Sequence, residues 1–348
     1  MLLISLLRKF YPSLQEHKTV EAETSLLLKE TLQGKYIEPQ KNDHSLFRYA
    51  QHHFFSILFL SIYRALGIPR ERRLFYGMIN HAIRGIVTGT DNLLDDEYKE
   101  ILPIRFPEKA TRFKSIMHIL LFDRFLFTVV NRAADKGLFT REDGKIIQKK
   151  IFQAMVPIGE EEATEENGVE IILPPEEILS SIHMYKGGSL LRLAFVVPSF
   201  IEKKLAVPLE TVNRGIYRIG MALQIIDDLT DFYDDIENKK HNYLTSYIYF
   251  KGTGSEKEKM NSLFENYERN TPPIEQAYPY SVSKVMEYAV NEALTGFDML
   301  SQSGFWLNRQ DAMSLIRHLF YLRGVKNLFA LLSRKDYAKA AARGIYGK

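Results

Sequence analysis

Apolar residues recur along most of the chain with the period of an amphipathic helix. Between residues 74 and 90, for example, Ile79, Ile83 and Ile86 stand at positions i, i+4 and i+7. The same spacing runs through residues 45–66, 113–134, 178–201, 209–232, 282–304 and 311–332. Alternating runs typical of β-strands are nearly absent. The pattern therefore predicts an all-α protein.

Glycine and proline residues separate the helical segments. They occur at residues 67–69, 103, 107, 174–175, 208, 252–254 and 272–273. Because no linker is long enough to divide the chain, we predict a single helical domain over residues 1–348. Within it we expect an N-terminal helical extension at 1–40, a solvated acidic loop at 159–177 and a polar loop at 251–273. A short exposed helix is the alternative for the polar segment.

The composition is that of a globular protein, with 45% apolar and 26% charged residues. The 46 Lys and Arg residues nearly balance the 43 Asp and Glu residues. This balance argues against a nucleic-acid-binding protein, which would carry a concentrated basic stripe. The chain has no cysteine, which excludes disulfides, zinc–thiolate sites, iron–sulfur clusters and cysteine nucleophiles. The missing thiols are compatible with a reducing compartment, so we expect a cytoplasmic protein.

The first seven residues are apolar, and Arg8 and Lys9 follow directly. A secretory signal has the opposite order, with the charge first. No apolar window reaches the roughly 20 residues that a membrane-spanning helix needs. We expect the segment to form the first turns of a packed helix, and a peripheral contact with a membrane is the alternative.

Two clusters of carboxylates each follow a long apolar helical segment. In the first, Asp91 and Asp95 are four residues apart and therefore share a helix face. The second, over residues 227–235, places acids at 227, 231 and 235 on one helical line, with another at 228. Like charges at this spacing destabilise an isolated helix by about 0.2–0.5 kcal/mol per pair. Oxygen ligands of this kind bind hard ions such as Mg²⁺. We predict a shared metal site, and two solvated acidic helix ends are the alternative.

Other catalytic motifs are missing from the sequence. Di-iron helix bundles need Glu-x-x-His, and none of the nine histidines has a glutamate three residues earlier. The P-loop, the serine nucleophile elbow and the His-Glu-x-x-His motif are also absent. These reaction classes therefore have no support.

Residues 220–231, Gly-Met-Ala-Leu-Gln-Ile-Ile-Asp-Asp-Leu-Thr-Asp, resemble the second Asp-rich motif of trans-prenyl diphosphate synthases, members of the class I isoprenoid synthase superfamily. Residues 91–95, Asp-Asn-Leu-Leu-Asp, resemble the first motif, with Asn92 in place of its second Asp. Lys186 resembles the diphosphate-binding lysine of that family, and its small neighbours Gly187 and Gly188 would let a phosphate approach the backbone. The likeness covers roughly residues 45–235.

The resemblance implies a helical bundle around a central apolar cavity, a homodimer, and three Mg²⁺ ions that bind the diphosphate of an allylic substrate. The residues that it implies as Mg²⁺ ligands are Asp91, Asp95, Asp227, Asp228, Asp231 and Asp235. Those that it implies as diphosphate contacts are Lys186, Arg105 and Lys240, with Arg48 and Arg323 as further candidates and Gln224 orienting the site. Metal ions and cations would stabilise the leaving diphosphate, and an aromatic-lined pocket would shield the carbocation from water.

The likeness to chain-elongating enzymes is incomplete around the second substrate. These enzymes bind a homoallylic diphosphate through a Gly-Gly-Lys-Arg stretch before the first motif and paired arginines after it. The present chain has Lys41, Arg48, His52 and His53 before the motif and a single Arg105 after it. We still expect chain elongation with isopentenyl diphosphate, because the match to the second motif is the most specific.

Three other functions stay open. Squalene and phytoene synthases, which join two prenyl chains head to head, use an Asp-x-x-x-Asp first motif and later acids at +4, +7 and +8 before a basic-Tyr-Leu stretch. Residues 227–235 and 243–244 are similar to that pattern. Terpene cyclases use a triad spaced four and four, which the second cluster also matches. The third alternative is a non-catalytic helical subunit, against which the retained carboxylates argue.

Overall fold

A computed structural model of the chain describes residues 2–32, 36–37, 45–94, 98–265, 272–322 and 328. These residues are almost entirely helical, and the only β pairing among them is an isolated antiparallel bridge between Ile37 and Ile104. The all-α prediction is confirmed. None of the helices over these ranges has the length and apolar character needed to span a bilayer.

The N-terminal helices are α1 (Leu2–Thr31), α2 (Leu46–His52), α3 (Phe54–Ala65), α4 (Arg70–Leu94), α5 (Thr111–Asp135) and α6 (Arg141–Ala163). Short elements follow: α7 (Pro175–Glu177), a π-helix (Ile178–Ser189), α8 (Leu190–Arg192), a 3₁₀ turn (Leu193–Phe195), α9 (Val196–Ile201) and a second 3₁₀ turn (Lys203–Leu205). The remaining helices are α10 (Ala206–Thr230), α11 (Phe232–Glu237), α12 (Tyr243–Lys251), α13 (Gly254–Glu265), α14 (Ile274–Ala277), α15 (Pro279–Gln302) and α16 (Arg309–Leu322).

Contacts within the chain divide it into two compact units. Unit 1 comprises Met1–Met155 and Leu193–Leu209, and unit 2 comprises Val156–Arg192 and Glu210–Lys348. The single domain over residues 1–348 stays a prediction.

The core of unit 1 forms where α1, α3, α4 and α5 pack together. α1 lies within the predicted N-terminal extension, yet its Leu14, Val20 and Leu28 are each only 1% exposed. A largely buried ion pair between Glu16 and Arg73 joins α1 to α4. Burial of apolar side chains and of this ion pair makes α1 part of the core of unit 1.

In unit 2, glycines lie at the closest contacts of α10. A Cβ atom at Gly220 would lie 2.2 Å from the carbonyl oxygen of Gly187 in the π-helix. A Cβ atom at Gly215 would lie 2.8 Å from the carbonyl oxygen of Gly296 in α15. Both distances are too short for any larger residue, because packed protein interiors leave no room for such overlap. Glycine therefore allows the π-helix and α15 to approach the backbone of α10.

The acidic loop predicted at 159–177 is wrong at both ends. α6 continues to residue 163 and α7 covers 175–177, so the loop is confined to 164–174. Glutamate is a good helix former, and Glu162 in addition pairs with Lys186, which explains why α6 does not end earlier. Glu165, in the loop, is buried at 7% exposure. The segment is therefore not simply solvated.

The polar loop predicted at 251–273 contains the helix α13, in agreement with the alternative interpretation. A capping box starts this helix: Oγ1 of Thr253 accepts from the backbone N–H of Glu256 at 3.3 Å, and the N–H of Thr253 donates to Oε2 of Glu256 at 3.1 Å. Residues 266–271 lie outside the described ranges. The loop prediction fails because this helix depends on its cap rather than on an apolar stripe.

We expect Gly220→Ala to destabilise the fold, because its Cβ would collide with the backbone of Gly187. Overpacking of this kind costs about 1–3 kcal/mol, and urea titration followed by circular dichroism measures the free energy of unfolding. The matched control is Gly159→Ala, at an exposed position in α6 where a Cβ meets nothing within 4 Å. The control should leave stability unchanged or raise it by up to about 1 kcal/mol. Equal effects of the two substitutions would contradict the packing assignment.

Candidate functional site

The second carboxylate cluster begins where α10 ends. The helix is buried through Ile225, Ile226 and Leu229 and stops at Thr230. Asp231 lies between α10 and α11 with φ −99° and ψ 8°, so the chain bends there without leaving helical hydrogen bonding.

The bend keeps three carboxylates on one line. The N–H of Asp231 donates to the carbonyl of Asp227 at 2.8 Å, and the N–H of Asp235 donates to the carbonyl of Asp231 at 2.7 Å. Asp227 and Asp235 are half-buried, and Asp231 is exposed. The predicted line of acids at 227, 231 and 235 thus exists in the structure, with its exposed member in the middle.

Asp228 has a different environment, because its side chain is buried at 3% exposure and fully hydrogen-bonded. Nε2 of His183 lies 2.9 Å from Oδ2 of Asp228, and the backbone N–H of Tyr243 donates to the same oxygen at 2.5 Å. The side-chain amide of Gln224 donates to Oδ1 at 3.3 Å. The carboxylate therefore connects the π-helix, α10 and the start of α12, and both of its oxygens already accept protein hydrogen bonds.

Asn242 connects this network to the line of acids. Its side-chain amide donates to the carbonyl oxygen of Asp228 and to Oδ2 of Asp235, both at 2.7 Å. Its Oδ1 accepts from the N–H of Thr245 at 3.0 Å and so caps α12. Asn242 thereby fixes the position of the carboxylate of Asp235.

The surroundings of Asp235 disfavour a negative charge on its carboxylate. Burial, and then the neighbouring carboxylate of Asp228, raise the pKa of Asp235 to about 8, although the hydrogen bond from Asn242 opposes them. A shift in this direction means that a negative charge at Asp235 lacks sufficient compensation from the protein. Among the described residues, these acids do not bring three ligand atoms within 4.8 Å of one another, so an ion held here would need ligands from outside the protein, as Mg²⁺ usually takes from water and substrate phosphates.

Lys186 lies on the π-helix three residues after His183. Its Nζ lies 2.7 Å from Oε2 of Glu165 and 3.0 Å from Oε2 of Glu162, and its side chain is 12% exposed. Burial alone would lower the pKa of the Lys186 ammonium, but the two glutamates outweigh it and raise the pKa above its usual value. The predicted diphosphate-binding lysine is therefore held by two acids from the end of α6 and the loop after it. π-Helical turns are uncommon and occur often at functional sites.

The two glycines after Lys186 do not face open space. A Cβ at Gly187 would lie 2.5 Å from the carbonyl oxygen of Gly220, and one at Gly188 would lie 2.3 Å from the ring of Tyr217. Both residues are buried against α10. The expectation that they let a phosphate approach the backbone is wrong, because their small size serves the packing of the π-helix on α10.

The first cluster lies in unit 1, at the end of α4. Asp91 is half-buried, and Asn92 is buried at 3% exposure. The amide of Asn92 donates to the carbonyl of Lys99 at 3.0 Å, and its Oδ1 accepts from the N–H of Lys99 at 2.9 Å. An ionised aspartate could accept from Lys99 but could not donate to it. This two-way bond explains why asparagine, rather than the aspartate of the resembling motif, occupies position 92.

No protein-family model matches the sequence, and no curated protein matches it. Solved structures do match it. A geranylgeranyl pyrophosphate synthetase from Pyrococcus horikoshii Ot3 shares 17% identity, with a TM-score of 0.59 over 91% of this chain and 99% of that chain. A decaprenyl diphosphate synthase from Rhodobacter capsulatus shares 15% identity, with a TM-score of 0.58 over 88% and 99%. A polyprenyl synthase from Caulobacter crescentus CB15, complexed with calcium and isoprenyl diphosphate, shares 13% identity, with a TM-score of 0.58 over 91% and 97%.

This chain has the class I isoprenoid synthase fold. The fold implied by the sequence resemblance is therefore confirmed. At these identities the fold is what the proteins share, and the role of each side chain in this chain depends on its own surroundings.

Apart from Asp91 in unit 1 and Lys186 in unit 2, the predicted site residues fall into three groups within the isoprenoid synthase fold. Those of unit 2 that the structure brings together are Asp227, Asp228, Asp231, Asp235, Gln224 and Lys240, whose N–H donates to the carbonyl of Asp235 at 2.8 Å. Arg48 on α2 and Arg105 next to the bridge residue Ile104 are exposed in unit 1. Asp95 and Arg323 lie outside the described residues.

Three groups that support Asp228 were not predicted from the sequence: the ring of His183, the amide of Asn242 and the N–H of Tyr243. Asn242 precedes an apolar run and is an N-cap residue, so a search for caps would have found it. His183 has no such local signal, because its partner Asp228 is 45 residues away.

We expect Lys186→Met to destabilise the protein, because it leaves the buried carboxylate of Glu165 without its cation. Removing one partner of a buried ion pair costs about 3–5 kcal/mol, and the change can be measured as a shift in the urea midpoint. The matched control is Lys145→Met, since Lys145 pairs with Glu142 at an exposed position and should contribute less than about 1 kcal/mol.

Adding Glu165→Gln to Lys186→Met should recover part of the lost stability, because the unpaired charge is then removed. If Lys186→Met and Lys145→Met have the same midpoint, the ion pair of Lys186 does not contribute as described.

Proposed function

We propose that the protein is a Mg²⁺-dependent prenyltransferase that ionises an allylic prenyl diphosphate and elongates it with isopentenyl diphosphate. The observation that carries the proposal is the line of carboxylates at Asp227, Asp231 and Asp235, at the end of a buried helix in an isoprenoid synthase fold. Structural neighbours with this fold are prenyl diphosphate synthases, and one of them was solved with calcium and isoprenyl diphosphate.

The proposal assigns the Mg²⁺ ligands by exposure and hydrogen bonding. In unit 2, Asp227, Asp231 and Asp235 are the ligands. Asp228, which the resemblance also implies as a ligand, is proposed instead to position the helix end, because both of its oxygens already accept hydrogen bonds, from His183, Tyr243 and Gln224. In unit 1, Asp91 and Asp95 are assigned as ligands on the resemblance of their motif, and three ions in all are expected to assemble with the diphosphate.

Bound Mg²⁺ would supply the positive charge that stabilises the departing diphosphate. The role of the protein is to hold that charge in place and to keep further cations near it. Lys186 is proposed to contact the diphosphate, and its ammonium donates two of its three N–H groups to Glu162 and Glu165. A diphosphate would therefore compete with these carboxylates for Lys186, or bind through the remaining N–H. Lys240 and Arg105 are proposed as further contacts.

A second candidate is a reaction that needs no isopentenyl diphosphate: cyclisation, or head-to-head coupling of two prenyl chains. The observation that favours it concerns the residues available for a second diphosphate. Arg48 is exposed on α2, and burial lowers the pKa of the nearby His53 to about 3, so that this imidazole is neutral. Among the described residues 45–53, Arg48 is the one arginine or lysine offered where chain-elongating enzymes carry a basic stretch.

Measurement of diphosphate release separates these functions. The full-length protein is incubated with geranyl, farnesyl or geranylgeranyl diphosphate and Mg²⁺, with and without isopentenyl diphosphate, and a chelated sample serves as the control. Chain elongation requires release that depends on isopentenyl diphosphate and on the metal. Release without isopentenyl diphosphate supports the second candidate, and no release by folded protein under any condition overturns both and favours a non-catalytic subunit.

We expect Asp227→Ala to lower turnover by about 100-fold or more, because the transition state loses part of its electrostatic stabilisation. Helicity should be unchanged, since Asp227 is half-buried at a helix end. The matched control is Glu237→Ala, an exposed acid at the end of α11, which should retain full turnover. Normal turnover in Asp227→Ala would remove this residue from the ligand set.

A homodimer, peripheral contact with a membrane and a cytoplasmic location complete the proposal. They follow from the resemblance, from the apolar first residues and from the missing cysteines, respectively.

A further inference from the structure

Unit 1 contains a second group of side chains with the chemistry of a metal site, and it lies apart from both carboxylate clusters in the sequence. His17 and Glu21 are one turn apart on α1, and His53 lies at the junction between α2 and α3. One ligand atom from each of these three residues lies within 4.8 Å of the other two. His17 is buried at 2% exposure, and the side chains of His53 and Glu21 are 13% and 20% exposed.

Hydrogen bonds already organise the group. The hydroxyl of Tyr49 donates to Oε2 of Glu21 at 2.6 Å. Since the hydroxyl has one proton, it accepts from Nδ1 of His17, which lies 2.7 Å away. Inferred in this way, the tautomer of His17 has a free lone pair on Nε2. Tyr49 thus orients both a carboxylate and an imidazole, as the outer partners of metal ligands do.

His53 is incompletely satisfied in this arrangement. Its Nε2 lies 3.1 Å from Oε1 of Glu21, and its Nδ1 is buried without a hydrogen-bond partner. A tautomer with the proton on Nδ1 would leave Nε2 free to bind a metal beside the carboxylate.

The carboxylate of Glu21 is not neutralised by a basic side chain in an ion pair. Across the described part of the chain, Glu21 forms no ion pair with a lysine or an arginine, and its polar partners are the ring of His53 and the hydroxyl of Tyr49.

We propose that His17, Glu21 and His53 bind one divalent transition-metal ion of the Zn²⁺ class, with Tyr49 as the outer partner of Glu21 and His17. Two imidazoles and one carboxylate are a known ligand set for zinc, and three protein ligands leave one position for water. Nitrogen ligands favour such an ion over Mg²⁺. The ion joins α1 to the α2–α3 junction within unit 1. This site is independent of the proposed prenyltransferase activity.

The test is metal binding by the full-length protein after chelation, with Zn²⁺ and Co²⁺ as the probes and millimolar Mg²⁺ present to occupy the carboxylate clusters. We expect one Zn²⁺ per chain by calorimetry, visible absorption bands from bound Co²⁺, and a higher melting temperature with Zn²⁺, since a ligand that binds only the folded state stabilises it. If no ion binds in the presence of Mg²⁺, the proposal is overturned.

Variants locate the ion. Tyr49→Phe, which keeps the ring, should weaken Zn²⁺ binding by about 10–100-fold, as the loss of an outer partner does. Glu21→Gln, which keeps the volume, and His17→Ala should weaken it further and remove the Co²⁺ absorption. His318→Ala, at a half-buried position on α16, is the matched control and should bind as the unmodified protein does. Unchanged affinity in Glu21→Gln would place the ion elsewhere and refute the assignment, even if His17→Ala fails to fold.

Discussion

The buried carboxylate of Asp228 is the constraint around which unit 2 is arranged. A charged group that leaves water must regain its hydrogen bonds within the protein, or folding becomes costly by several kcal/mol. Asp228 regains them from His183, Tyr243 and Gln224, which belong to three different helical elements. The π-helix, the end of α10 and the start of α12 are therefore fixed with respect to one another by one side chain. The acids at 227, 231 and 235, which are exposed or half-buried, lie at the same helix end, and the hydrogen bonds of Asp228 therefore help to position them as well.

Other buried carboxylates in the chain are compensated in different ways, by ion pairs or by hydrogen bonds. Glu16 pairs with Arg73 in unit 1, and Glu165 pairs with Lys186 in unit 2. Glu256 is satisfied by hydrogen bonds: it accepts from Thr253 at the start of α13 and from the backbone at the start of α15, where helix N-termini offer free N–H groups.

The glycine contacts of α10 are a second consequence of close packing. Positions 187, 215, 220 and 296 allow backbones to approach within distances that exclude a Cβ atom. In the sequence, the pair after Lys186 is indistinguishable from a phosphate-binding turn, because both need small residues. The structure separates the two interpretations, since the space beside these glycines is filled by α10. The ammonium group of Lys186 forms ion pairs with two glutamates, Glu162 and Glu165.

Sequence alone determined the properties that depend on neighbours along the chain. The helical period gave the all-α fold, and the spacing of four residues placed Asp227, Asp231 and Asp235 on one line, because both follow from local helical hydrogen bonding. It also supplied a motif resemblance that the fold bears out. The tertiary structure decided which of these acids is buried, that Asp228 and Lys186 are held by partners from other segments, and that His17, Glu21 and His53 meet. Those contacts join residues up to 45 positions apart, and no local pattern specifies them, because burial and pairing across segments arise only when helices pack.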